Sequence, residues 1–78
     1  MFLDWDYNGA RNQVDGVEIR GDHGESKGMV YLCHDTTPGY TDGTALPATA
    51  TKWNYELIFT KGEGYVGLPL IVSILVGG

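Results

Sequence analysis

The chain reads as an all-β domain, an antiparallel β-sandwich of about six strands, and three observations predict it. Twelve glycines and three prolines in 78 residues interrupt every candidate helix before a 3.6-residue periodicity can run three turns. Trp53 to Phe59 alternates, with Trp53, Tyr55, Leu57 and Phe59 on one face, as a half-buried strand does. Finally, in the run Leu68 to Val76 (Leu-Pro-Leu-Ile-Val-Ser-Ile-Leu-Val) only Ser73 is polar. That run is far shorter than the roughly twenty apolar residues of a membrane helix. Its branched side chains favour a strand. Because it does not alternate, both of its faces are expected to meet something apolar.

The other elements follow in order. Phe2 to Asp6 alternates, with Leu3 and Trp5 facing inward and Asp4 and Asp6 outward. Val14 to Arg20 puts Val17 and Ile19 inward and Glu18 and Arg20 outward. Met29 to His34 is mixed, as an edge strand can be. The turn Thr37-Pro38-Gly39 leads to a short extended piece, Tyr40 to Asp42. Lys61-Gly62-Glu63-Gly64 turns the chain from the Trp53 strand into the final run. Asp22 to Gly28 reads as a polar, mobile hairpin tip. Residues 1–78 make a single domain.

Size and charge bound the function. A domain this small buries only about 60% of its unfolded surface and usually needs a disulfide, a metal or a partner subunit. Its one cysteine, Cys33, cannot form an internal disulfide, and His23 and His34 lack zinc-ligand spacing. No metal or other cofactor is therefore expected, and oligomerisation is the support that remains. Ten acidic against five basic residues, a net charge of −5, argue against nucleic acid and anionic membranes as partners. The start, Met1-Phe2-Leu3-Asp4, lacks the basic-then-apolar pattern of a signal peptide. A cytoplasmic location is expected, or a virion or extracellular one if the chain belongs to a larger assembly.

Few residues point to chemistry. Asp4 and Asp6 share a strand face at a spacing compatible with calcium, but no glycine-rich ligand loop accompanies them, so a solvated face is expected. Cys33 and His34 are adjacent and point to opposite sides of a strand, which disfavours a nucleophile–base pair. A structural thiol is expected at Cys33 and a solvated side chain at His23. Ser26 and Ser73 lack a nucleophile elbow, and the glycines do not open a helix as a phosphate loop does. No catalytic residue is assigned, and the chain reads as non-enzymatic. Tyr7, Tyr31, Tyr40 and Tyr65, if exposed together, would make a platform for a sugar ring. That gives the alternative reading, a small carbohydrate- or ligand-binding module.

Taken in order, the motifs resemble a fibronectin type III domain of the bacterial and phage type. Leu3-Asp4-Trp5 is similar to the opening of that family's strand B, and Asp15-Gly16-Val17-Glu18-Ile19-Arg20 to its strand C. Tyr40-Thr41-Asp42, Leu46-Pro47 and Thr51-Lys52-Trp53-Asn54-Tyr55 resemble strand E and the approach to strand F. Val66-Gly67 and Val72 to Val76 resemble the close of the domain. Two departures stand out: the family's strand A is missing ahead of Leu3, and Trp53 takes the place of the corner tyrosine, so the corner hydrogen bond must differ.

The resemblance implies strands A, B and E in one sheet and C′, C, F and G in the other. Losing A leaves strand B with an unpaired edge. Strand G, at the edge of the second sheet, turns Val72, Ile74 and Val76 inward and Ile71 and Leu75 outward. Ile58 on strand F is expected to join them in an outer apolar stripe. The expected contact set is Ile58, Leu70, Ile71, Ser73 and Leu75. A homodimer follows as the expected partner state, built over strand G, by edge pairing at strand B, or by strand exchange. Against it stands a bulge at Pro69 that shifts the register and buries part of the set. The outer stripe and the unpaired edge point to a protein-interaction or assembly module, and the resemblance implies a phage or mobile-element origin.

Overall fold

The computed structural model describes residues 1–7, 13–24 and 28–78, and these form seven strands and no helix. In chain order they are β1 (Phe2–Leu3), β2 (Gly16–Asp22), β3 (Val30–Asp35), β4 (Tyr40–Thr41), β5 (Thr51–Lys61), β6 (Gly64–Tyr65) and β7 (Leu70–Val76). All pairings are antiparallel. A small sheet pairs β1 with β4, and a large sheet runs β3-β2-β5, with β6 and β7 beyond β5.

β5 is the axis of the large sheet because its alternation is the most regular in the chain. Trp53, Tyr55 and Leu57 are buried and Phe59 packs beside them. β2 covers one edge of β5 from Gly16↔Thr60 to Asp22↔Asn54 and adds the fully buried Val17 and Ile19. Leu3 of β1 and Val76 of β7 join the same core, with Trp5, Tyr40, Val72 and Ile74 packed against it. One apolar core thus serves both sheets, and the molecule is sandwich-like.

The other edge of β5 carries β6 and β7 end to end. β6 pairs at Thr60 and Lys61 across a tight turn, where Gly62 takes a left-handed φ of 58°. Val66 still donates to the Phe59 carbonyl at 2.8 Å. The chain then swings out through Gly67, Leu68 and Pro69 and rejoins β5 at Leu70↔Leu57. A break at Pro69 is therefore present, but it does not bury the outward set. Beyond it Ile71 pairs with Glu56, Ser73 with Asn54 and Leu75 with Lys52, and Ile71 and Leu75 stay 52% and 72% exposed.

Several sequence expectations shift. The first strand ends at Leu3, and Asp4 to Tyr7 continue without ladder pairing. β2 runs two residues past Arg20, to Asp22. Of the polar tip expected from Asp22 to Gly28, residues 25–27, Ser26 included, lie outside the described residues. β3 is irregular because Leu32 is skipped between the pairs Ile19↔Cys33 and Arg20↔Tyr31.

Candidate functional site

The most unusual local chemistry is the unpaired edge of β7. In a seven-residue strand whose only polar side chain is Ser73, no charge, proline or register shift interrupts the ladder to β5. Among the described residues β7 pairs with β5 alone, so alternate backbone N–H and C=O groups face outward along its free edge. Around that edge Leu68 is 89% exposed and Leu70 51%. The Ser73 hydroxyl donates to Asn54 Oδ1 at 2.6 Å, and the side chain stays on the outer face.

Four of the five expected contact residues, Leu70, Ile71, Ser73 and Leu75, are brought together here, and Ile58 is not. Ile58 points to the outer face, as alternation requires, yet it is only 6% exposed. The reason lies in β6. The Tyr65 side chain crosses the outer face from its position opposite Thr60, and its hydroxyl donates to Glu18 Oε1 at 3.0 Å. Glu18 is the direct partner of Ile58 on β2, so the phenol spans the strand at the level of Ile58. The apolar stripe is thus confined to β7.

Beside it the outer face is polar and tied to itself. Arg20 Nε donates to Glu18 Oε2 at 2.7 Å, and Arg20 Nη2 donates to the Tyr65 hydroxyl at 3.3 Å. His34 Nε2 lies 2.8 Å from Thr60 Oγ1, reaching across β2 at Gly16, where a side chain would block its path. Cys33 points the other way and packs against the core, so the two neighbours cannot form a nucleophile–base pair. Burial and the adjacent Asp35 push the Cys33 thiol up to about 12, which leaves it protonated at neutral pH.

The four tyrosines do not form one platform. Tyr7 is buried, with its hydroxyl on the Thr36 carbonyl at 3.1 Å, and Tyr40 packs in the core. Tyr31 and Tyr65 are exposed, and both lie beside Arg20 on the outer face.

A second polar group, missed at the sequence level, sits where the sheets meet. Asp42 is 4% exposed, and its Oδ2 receives the Tyr55 hydroxyl at 2.6 Å. Its Oδ1 accepts from the Thr44 amide at 3.0 Å. His23 Nε2 approaches Oδ2 at 2.7 Å, and the imidazole lies against Trp53 with ring centres 4.2 Å apart. His23 is therefore not a solvated loop residue: the end of β2 folds it over the β5 aromatics. Burial alone would raise the Asp42 pKa, but hydrogen bonds from Tyr55, Thr44 and His23 outweigh it and hold the carboxyl well below the usual carboxylate range. Tyr55 thus ties the segment after β4 to β5 through Asp42.

Among the described residues no group of three or more His, Cys, Asp or Glu side chains is placed to hold a metal ion. A shallow pocket of about 200 Å³ is lined by Asp6, Tyr7, Val14 and Phe59, a mostly apolar set with a single carboxylate. No helix among the described residues is long and apolar enough to cross a membrane. Compared with protein-family models, curated proteins and solved structures, the chain has no significant match.

Proposed function

We propose that the chain is a non-enzymatic module of the fibronectin type III kind that works by assembly, with β7 as its contact element. The observation that carries the reading is the free, uncharged edge of β7 with Leu70, Ile71 and Leu75 exposed along it. Fully burying such a side chain is worth about 1.5–3 kcal/mol. Two or three of them would match much of the stability of so small a domain, so covering them is a large gain. The family part of the reading is supported by strand order: β1 beside β4, and β3-β2-β5-β7, follow the B–E and C′–C–F–G order that the resemblance implies. A phage or mobile-element setting belongs to the same reading, and neighbouring genes would test it.

Light scattering over a micromolar concentration series tests the assembly reading. A dimer whose population rises with concentration is expected; a monomer throughout would overturn it.

One observation favours a second reading. Tyr31 and Tyr65 are both exposed on the outer face beside the Glu18–Arg20 pair, an arrangement of rings and charges that suits a small polar ligand. A glycan array and a thermal-shift screen with sugars test it. Binding that Tyr65→Ala abolishes would favour this reading over assembly.

A further inference from the structure

We infer that two copies of the chain join through β7, antiparallel about a two-fold axis at Ser73, into one continuous sheet. The inference rests on the assembly reading and adds the partner and its register. β7 runs from Leu70 to Val76, so Ser73 is its central residue. Turning the strand onto an antiparallel copy about that centre sets Ile71 opposite the partner's Leu75. It likewise sets Val72 opposite the partner's Ile74 and Leu70 opposite the partner's Val76. Each apolar residue meets an apolar one, and Ser73 meets the partner's Ser73.

Neighbouring registers lose this match. Moving the axis to Val72 would set Ser73 against the partner's Ile71 and Leu75 against the partner's Pro69. Moving it to Ile74 would set Ser73 against the partner's Leu75 and Ile71 against the partner's Gly77. An axis falling between two residues would turn the partner's core side chains to the opposite face of the joined sheet. The strand is thus self-complementary in one register.

Charge points to the same occupant. On the outer face Lys52 stands beside Leu75 and Glu56 beside Ile71. In the joined sheet one row reads Lys52, Leu75, the partner's Ile71, the partner's Glu56. The two opposite charges end the row at about 14 Å between backbones, three strand spacings apart. Their long side chains can lie over the apolar pair between them. The central row, Asn54 and Ser73 with their counterparts, is polar throughout. No like charges face each other across the junction, as an unrelated strand would not ensure.

Cysteine cross-linking tests the register. In a Cys33→Ala background, Ser73→Cys places two thiols on the axis, with backbones about 4.5–5.5 Å apart, inside disulfide range. Mild oxidation is expected to give a covalent dimer as the main product. Ile71→Cys alone is expected to stay uncross-linked, because its twin lies about 13 Å away along the strand. A mixture of Ile71→Cys and Leu75→Cys chains is expected to cross-link. Light scattering on the same unoxidised samples separates the two claims. A dimer that Ser73→Cys fails to cross-link overturns the register and leaves assembly standing, whereas a monomer overturns both.

Discussion

The large sheet ends in two edges that the sequence treats in opposite ways. At β3 the ladder skips Leu32, and the strand closes with His34 and Asp35. A bulge and polar ends are the ordinary means of keeping an edge from pairing with other chains. His34 is also turned away from the edge, across Gly16 to Thr60. At β7 the ladder is unbroken, the strand carries no charge, and its exposed side chains are apolar except Ser73. Both edges expose apolar side chains, Val30 and Tyr31 on β3 among them, so what protects β3 and leaves β7 open is the bulge and the polar end that only β3 carries. The contrast means that the net charge of −5 is not what decides edge behaviour; local sequence is.

The largest expected effect is the direct assault on the open edge. Leu75→Lys removes an apolar contact twice in a symmetric dimer, about 1.5–3 kcal/mol each time. Sedimentation should show self-association weakened by roughly 10²- to 10⁴-fold, with the fold kept because Leu75 is 72% exposed. The counterpart on the protected edge, Tyr31→Lys, should leave association unchanged. Equal effects at the two sites would break the contrast.

Asp42 comes next, as the support both edges share through β2 and β5. Asp42→Ala leaves the buried Tyr55 hydroxyl without its acceptor, a loss of about 1.5–3 kcal/mol that chemical denaturation should register. The carboxyl's folded pKa lies below its unfolded value of about 3.9. Its stabilisation is therefore complete above that unfolded value and lost as pH falls toward the folded one. The denaturation midpoint of the natural chain should drop between about pH 4 and pH 2, and Asp42→Asn should flatten that drop.

Gly16→Ala sharpens the contrast from the protected side. A Cβ there would lie 2.8 Å from the His34 ring and 2.9 Å from Thr60 Oγ1. The imidazole must swing out and lose its hydrogen bond, at about 0.5–1.5 kcal/mol. Stability should fall by that amount while the dimer constant stays put. The smallest effect is salt. Two copies each carrying −5 repel, so raising ionic strength should tighten the dimer a few-fold. Weakening on added salt would point instead to an interface held by ion pairs.

Much of this was legible in the sequence wherever a single strand's alternation settles which way a side chain points. Val17 and Ile19 on β2, Trp53 to Phe59 on β5, and the outward Ile71 and Leu75 on β7 all follow from the period of two. What alternation cannot give is reach. Ile58 points outward yet is covered, because a tyrosine on another strand crosses over it to Glu18. Asp42 and His23 sit in polar segments with the composition of exposed loops. Their burial depends on the β5 aromatics lying beside them, a contact set by topology. The skipped Leu32 showed only as the mixed pattern of Met29 to His34, which marked an edge without locating its bulge. For the tyrosines, exposure separated Tyr31 and Tyr65 from Tyr7 and Tyr40, and residue type alone could not.

Amide hydrogen exchange followed strand by strand at low and high protein concentration tests the central claim most directly. If β7 is the open edge, its outward-facing amides gain protection as concentration rises, in alternation along Leu70 to Val76, while those of β3 stay as they were. Exchange at β7 that ignores concentration, or protection gained at β3 instead, would contradict it.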